Sequence, residues 1–198
     1  MMKIFFLLSA CIAVLLSCTN SSNSKAQKDE KGADSIQAKA ESFFPVTSYL
    51  KGELYNFRKD GINPIKHTTI KGHTDSVWLK IEEVEGAVKE FLSPEIDSLN
   101  LVSLFSEKSF LDQSIGSVTF TYDPDAALPD SMTLKHWDVH IEPENGRVKR
   151  IYMVKEISKN KTLQLTWQSR KWCRITSIIT DQNGVSTVEK EEKITWDF

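Results

Sequence analysis

Residues 161–168 read KTLQLTWQ, a segment in which polar and apolar side chains alternate without a break. Successive side chains of a β-strand point to opposite faces of its sheet. One face of this strand would carry Leu163, Leu165 and Trp167, and the other would carry the threonines and glutamines between them. The pattern therefore predicts a strand that belongs to a sheet with one buried and one open face.

The same period of two continues over most of the chain beyond Ser117. We predict about five or six antiparallel strands there. Their ranges are 117–122, 132–142, 147–157, 161–168, 171–180 and 185–196. Turn-forming residues divide them at Asp123-Pro124-Asp125, Asn145-Gly146, Lys159-Asn160 and Asn183-Gly184. A meander with one apolar face requires a second layer to cover that face.

The turn at Asn145-Gly146 allows two registers for its hairpin. A three-residue loop that ends in a bulge at Gly146 would place Trp137 opposite Met153 and Val139 opposite Ile151. A two-residue loop would instead place Ile141 opposite Arg150. We favour the first register because it separates apolar from charged side chains.

Helical spacing appears before the strands. After Pro45, four apolar residues recur at that spacing: Val46, Leu50, Leu54 and Phe57. Two short strands follow within residues 65–81, then a second helix over 84–92. Ser93-Pro94-Glu95 has the order of residues expected at another helix start, and residues 99–111 fit either a helix or short strands.

We therefore predict an α+β fold. It consists of an antiparallel β-meander of about six to eight strands covered by two or three N-terminal helices. Residues 41–198 would form a single domain of this kind.

A hydrophobic leader precedes the domain. After Lys3, residues 4–16 are apolar except for Ser9, which gives the length of a signal-peptide core and too short a run to span a bilayer. The run ends in Leu15-Leu16-Ser17-Cys18, which resembles the lipobox of bacterial lipoproteins. The resemblance implies cleavage before Cys18 and acylation of that cysteine. A secretory signal cut elsewhere, or a short membrane anchor, are the alternatives.

The lipobox divides the N-terminal region into two parts. Residues 1–17 would be the signal peptide, and residues 18–40 a lipidated, disordered tether that has too few apolar groups to fold. Acylated Cys18 would make the membrane a partner of the protein. The residue after it, Thr19, is not the aspartate of inner-membrane retention, so the resemblance implies the outer membrane. Gln27-Lys28-Asp29-Glu30 resembles a surface-export tag or is part of a charged tether, which leaves the periplasmic and surface-facing leaflets open.

Composition limits the classes of partner. The chain has 25 basic and 27 acidic residues, a mixed and nearly neutral balance that argues against nucleic acid. After cleavage and acylation, Cys173 would be the only free cysteine of the mature protein. We expect it to be a small buried residue, because no histidine or asparagine neighbours it in a catalytic setting.

Two groups of residues are candidates for a site. His136, Asp138 and His140 lie two apart on one strand face, a spacing that could offer zinc or another divalent metal two imidazoles and a carboxylate. A solvent-facing polar strand face is the alternative interpretation. Most of the five tryptophans should be core residues. Trp172 is the exception, since Cys173 and Ile175 take the other face of its strand, and it could bind a glycan or another ring-bearing ligand.

The function remains open between three classes. The segments Trp137-Asp138-Val139, Asn145-Gly146-Arg147-Val148 and Ile194-Thr195-Trp196-Asp197-Phe198 resemble a group of uncharacterised envelope lipoproteins of Gram-negative bacteria. That resemblance brings no activity with it. We expect a non-enzymatic binding or assembly role, with another envelope protein as the partner. The alternatives are a carrier of a lipid or other apolar small ligand, and a glycan or peptide hydrolase. No catalytic motif and no cofactor motif is found, so no catalytic residue is assigned.

Overall fold

The structure, a computed structural model, describes residues 43–97 and 100–196. The predicted signal peptide, Cys18 and the predicted tether lie outside the described residues. Within them, a single sheet of nine antiparallel strands dominates the fold. The strands are β1 (Ile65–Ile70), β2 (His73–Trp78), β3 (Phe105–Asp112), β4 (Ser117–Pro124), β5 (Leu134–Ile141), β6 (Val148–Ser158), β7 (Lys161–Gln168), β8 (Trp172–Thr180) and β9 (Ser186–Thr195).

Helical structure is limited by comparison. It comprises α1 (Val46–Asp60), a 3-10 turn (Ile81–Glu83), α2 (Val84–Ala87) and α3 (Lys89–Leu92). The helix α1 forms where the sequence predicts one, and its apolar residues at helical spacing are buried. It ends at Gly61, which adopts a left-handed conformation (φ 66°) and donates its N–H to the carbonyl of Arg58.

The order of the strands is β2-β1-β9-β8-β7-β6-β5-β4-β3. Strands β3 to β9 form one continuous meander in which each strand pairs with the next along the chain. The β1–β2 hairpin joins that meander through β1, which pairs with β9. An antiparallel meander is therefore confirmed. The structure has nine strands where the sequence predicted about six to eight. The added strand β3 lies mostly within residues 99–111, which fitted either a helix or short strands.

The predicted register of the β5–β6 hairpin is confirmed. Trp137 pairs with Met153 and Val139 pairs with Ile151, with a register shift between His140 and Ile141. Gly146 has a φ of 68°, a conformation that glycine adopts without steric cost.

The predicted helix start at Ser93-Pro94-Glu95 is wrong. The residues after Pro94 are extended or bent, not helical. Thr47 of α1 accounts for this, because its Oγ1 accepts the backbone N–H of Ile96 at 2.8 Å, and its own N–H donates to the carbonyl of Ile96 at 3.2 Å. A tertiary contact thus takes the carbonyl of Ile96, which a helix would pair with a later N–H. The predicted helix over 84–92 is present as two short helices, α2 and α3, interrupted at Val88.

The hydrophobic core lies on one face of the sheet. Its largest sheet residues are Trp137 and Trp167, and α1 contributes Phe57, whose ring meets Trp196 edge to face at 5.1 Å. Three of the five tryptophans are therefore core residues, as expected. Trp172, the exception that the sequence indicated, is only partly buried on the opposite face of the sheet, and Trp78 is a second exception, which the sequence did not indicate, because it is 62% exposed.

Candidate functional site

The face of the sheet opposite the core carries mostly polar side chains and is called here the open face. Strand pairing aligns these side chains into rows that cross the sheet. One row comprises His67, Lys193, Arg174, Thr166, Tyr152, Asp138 and Thr121. The next comprises Ile65, Thr195, Trp172, Gln168, Arg150, His140 and Thr119. Residues far apart in the chain therefore become neighbours on one face of the sheet.

His136 lies on this face between two carboxylates. Its Nδ1 is 2.9 Å from Asp123 Oδ1 and its Nε2 is 3.2 Å from Asp138 Oδ2. The hydrogen bond with Asp138, supported by the one with Asp123, raises the pKa of His136. Burial alone would raise the pKa of Asp138, but hydrogen bonds with His136 and Thr121 outweigh burial and lower it. The His136–Asp138 pair is thus favoured in its charged form.

His140 has a different environment. Its Nδ1 is 2.9 Å from Thr119 Oγ1, and its Nε2 is 3.3 Å from Nη2 of Arg150. Burial and the nearby Arg150 guanidinium lower the pKa of His140. Because an arginine can only donate hydrogen bonds, Nε2 accepts and the proton lies on Nδ1, which donates to Thr119.

The two histidines and Asp138 therefore share a strand face, as the sequence indicates. The ring nitrogens of both histidines, however, are engaged by protein groups. The part of the chain that the structure describes contains no group of three or more histidine, cysteine or acidic residues arranged to hold a metal ion. His67 and His73 lie on β1 and β2, far across the sheet from the trio. The polar groups of His136, Asp138 and His140 are each hydrogen-bonded to other side chains of the open face.

The His136–Asp138 pair predicts a pH-dependent contribution to stability. A raised imidazole pKa stabilises the fold most below the unfolded value of about 6.5, and this stability is lost as pH rises through the folded pKa. The lowered carboxyl pKa stabilises the fold above about pH 3.9 and is lost as pH falls. We expect His136→Gln to lower the free energy of unfolding by roughly 1 kcal/mol or less at pH 5, and by less at pH 9. Urea unfolding of both proteins at the two pH values measures this; an equal loss at both would contradict it.

Trp172 lies on the open face of β8, with β7 and β6 between it and the trio on β5. As predicted, it points away from the buried Cys173 and Ile175. Arg174 Cζ lies 5.6 Å from the centre of its ring and Lys193 Nζ lies 5.2 Å from it. Both distances are within the range of cation–π contacts. Its role as a ligand-binding residue stays a prediction.

A shallow depression of about 540 Å³ extends from Trp172 across the strands β8, β7, β6 and β5. We call it the Trp172 depression. Its lining residues include Trp172, Arg174, Gln168, Arg150, Tyr152 and Asp138. It thus combines two aromatic rings with two guanidinium groups and several hydrogen-bonding side chains.

The basic groups of this region are weakly neutralised. Among the described residues, Arg150 and Lys193 have no carboxylate within ion-pair distance, and Arg174 has one, Glu191, at 3.8 Å. Asp138 is already bound by Thr121 and His136. The guanidinium Nε of Arg150 is buried without a hydrogen-bond partner in the same part of the chain. The depression therefore presents net positive charge next to an aromatic ring.

Sequence reasoning found Trp172 and the trio but missed Arg150, Arg174 and Tyr152. The available signal was the period of two, which places Arg174 on the same strand face as Trp172 and Arg150 on the same strand face as Tyr152. The register between the four strands was needed to unite them. Cys173 is buried and burial raises the pKa of its thiol, which suits the predicted structural role.

Comparison with known proteins does not assign this fold. Scans against protein-family models, curated proteins and solved structures found no match to the chain. Among the described residues, no helix is long and apolar enough to cross a membrane.

Proposed function

We propose that the protein is a non-enzymatic lipoprotein of the cell envelope, anchored to the outer membrane through acylated Cys18, whose folded domain binds another envelope component through the open face. The observation that carries this proposal is the asymmetry of the sheet. One face is committed to the core, whereas the other carries rows of polar and aromatic side chains with the Trp172 depression among them. The lipobox at residues 15–18 supplies the anchor in this proposal.

In this proposal the helices serve as the cover of the apolar face and take no part in binding. Supporting contacts are those of Phe57 with Trp196 and of Phe91 of α3 with Trp167, at 5.1 and 5.4 Å between ring centres. The buried Lys155 of β6 also contacts Glu90 of α3. Because these contacts occupy the core face, a partner would use the other one.

The electrostatics favour binding over acid–base hydrolysis. A glycosidase needs one carboxyl group with a raised pKa as its general acid. The described carboxyl groups with a shifted pKa, namely Asp112, Asp138, Glu189 and Glu192, all shift downward. These groups are held as anions and suit hydrogen bonding to a ligand or to neighbouring side chains.

A carrier function is the second candidate. A cavity of about 390 Å³ lies between the short helices and the core face of the sheet, with Leu163 and Ile175 in its lining. Its rim also contains lysines and glutamates, including the ion pair of Lys66 with Glu192 at 2.5 Å. An apolar ligand would have to leave these charges unsatisfied or displaced, so we rank this candidate second. A lipid-sized mass retained by the native protein would promote it.

The anchor and the binding face can be tested in the same cells. Cys18→Ala should abolish labelling by a radioactive or clickable fatty acid and move the protein from the membrane fraction to the soluble fraction. The physical reason is that two or more acyl chains hold a protein firmly, whereas none are attached without the cysteine thiol. Cys11→Ala is the matched control and should retain both the label and the membrane association. Continued labelling of the Cys18→Ala protein would contradict the lipobox assignment.

The second readout is photo-crosslinking. A photoreactive residue at Gln164, on the open face and exposed, should give a discrete adduct in cells. The same residue at Tyr55, which is 67% exposed on α1, serves as the control and should give none. Adducts from Tyr55 alone would contradict the proposal that the open face is the binding surface.

A further inference from the structure

We propose that the Trp172 depression binds an acidic glycan, a chain of sugar rings that carry carboxylate groups. The inference rests on the proposed binding function of the open face and names the chemical class of its ligand. It is carried by the juxtaposition of one partly exposed indole ring, three weakly neutralised cations and a set of neutral hydrogen-bonding side chains.

The indole ring of Trp172 supplies the stacking surface. A pyranose ring has C–H groups on its faces and hydroxyl groups around its edge, so it stacks on an aromatic ring while its edge bonds to polar groups. Trp172 offers such a ring at the surface, in contrast to the buried Trp137 and Trp167. Tyr152 lines the same depression two strands away, about 10 Å by the usual strand spacing. The depression therefore has room for more than one sugar ring along its length.

The cations supply selectivity for negative charge. Arg174 and Lys193 both lie over the Trp172 ring, 5.6 and 5.2 Å from its centre, in cation–π contacts that a stacked sugar would displace on the face it occupies. A carboxylate on a sugar stacked at this ring would come within reach of both. Among the residues that the structure describes, one carboxylate, that of Glu191 at 3.8 Å, forms an ion pair with Arg174. Guanidinium groups match carboxylates in geometry as well as in charge.

Arg150 extends the basic surface in a pre-oriented form. It lies in the same row as Trp172, with Gln168 between them. Its contact with His140 fixes the guanidinium, and its Nε is already buried. A ligand anion would therefore meet an arginine that loses little further freedom or hydration on binding.

The neutral side chains suit sugar hydroxyls. Each hydroxyl both donates and accepts a hydrogen bond, so its site needs groups of both kinds. Gln168 and Thr166 supply donors and acceptors in the floor of the depression. A nucleic acid strand is a poorer match, because the chain as a whole has a formal net charge of −2, whereas phosphate binding draws on a strongly basic surface.

The test compares two polymers that share one sugar backbone and differ in whether their carboxyl groups are free and charged or methyl-esterified and neutral. The full-length protein in mild detergent is titrated with polygalacturonate and with the fully methyl-esterified form of the same polymer, by calorimetry. We expect at least tenfold tighter binding of the acidic polymer at low salt, with the difference shrinking as salt screens the charges. Equal affinity for the two polymers, or tighter binding of an oligo-dT strand than of polygalacturonate, would overturn the proposal.

Variants separate stacking from charge. Trp172→Ala should weaken binding of both polymers at least tenfold, whereas Trp172→Phe should retain most of it. The double variant Arg174→Gln, Lys193→Gln should bind the acidic polymer about tenfold more weakly than the wild type and should bind the ester with unchanged affinity. Lys108→Gln is the matched control on the same face, because this exposed lysine lies on β3, away from the depression. The Lys108→Gln protein should bind both polymers with wild-type affinity. Wild-type affinity in the Trp172→Ala protein would overturn the proposal.

The ligand class and the proposed function fail in different ways. If polygalacturonate does not bind but Gln164 still gives crosslinked adducts in cells, then the ligand class is wrong and the binding face stands. If neither binding nor adducts are seen, the proposed binding function of the open face is wrong as well.

Discussion

Replacing Lys155 with alanine should lower the free energy of unfolding by about 3 kcal/mol. Lys155 is only 3% exposed, and it lies on the core face of β6 between Leu134 and Leu163 of the adjacent strands. Its Nζ lies 2.5 Å from Glu90 Oε2 and 3.2 Å from the Glu90 carbonyl oxygen. The alanine variant would leave Glu90 without its cation and a cavity beneath α3, and both effects destabilise.

The matched variant is Lys155→Met, which keeps the length of the side chain and removes its charge. Replacing a buried ion-pair partner with an apolar group of similar volume is tolerated when the remaining charge can reach water. The Glu90 side chain is 32% exposed and can turn outward. We therefore expect a loss of less than about 1.5 kcal/mol for Lys155→Met. Urea unfolding followed by circular dichroism measures both variants, and equal losses would show that the cavity is irrelevant.

The strands of the meander could be predicted because each carries its own signal. Leu163, Leu165 and Trp167 alternate with polar residues, and the structure buries these three and leaves the residues between them facing outward. The β5–β6 register was predictable because one of the two loop lengths would place Arg150 opposite Ile141, whereas the other pairs Trp137 with Met153 and Val139 with Ile151. The alternation within a strand is therefore sufficient to predict its register where one of its faces is buried.

The strand β3 could not be predicted, because it is an edge strand with little alternation. Only its first residue, Phe105, is buried, while Phe110 and Leu111 are more than half exposed. An edge strand pairs on one side alone, and burial then imposes a weaker pattern on its sequence. The helix predicted after Pro94 does not form for another reason. The backbone of Ile96 is hydrogen-bonded to Thr47 across the fold.

The candidate site was predictable in part. The period of two placed Trp172 on the face away from Cys173 and grouped His136, Asp138 and His140. It could not pair Trp172 with Arg150, since these residues come together only through the pairing of β6, β7 and β8. The ion pair of Lys155 with Glu90 has the same origin. The pattern on β6 places Lys155 on the face of Ile151 and Met153, but no local signal identifies a partner 65 positions away.

Replacing Trp137 with alanine should have the largest effect, a loss of about 3–5 kcal/mol in the free energy of unfolding. Trp137 is fully buried and stacks on Tyr122, with ring centres 4.5 Å apart and an 8° angle between the planes. Phe105 meets it at a steep angle from 4.7 Å. Removing the indole would leave a cavity bounded by rings from β3 and β4 that cannot collapse without shifting their strands.

Trp137→Phe separates two contributions to that loss. The indole Nε1 of Trp137 is buried without a hydrogen-bond partner among the described residues. Phenylalanine removes this unsatisfied donor and leaves a smaller cavity, so the gain from the first offsets part of the cost of the second. We expect Trp137→Phe to cost less than half of what Trp137→Ala costs. Urea unfolding decides this, and equal costs would mean that the ring contacts contribute little.

Trp172→Ala belongs in the same series because its indole lies on the open face. We expect Trp172→Ala to lower the free energy of unfolding by about 1 kcal/mol, the size of the cation–π contacts with Arg174 and Lys193. A fold that survives this change while glycan binding disappears would locate the defect in the depression itself. A loss as large as that of Trp137→Ala would mean instead that Trp172 is a structural residue, and its effect on binding would then follow from unfolding.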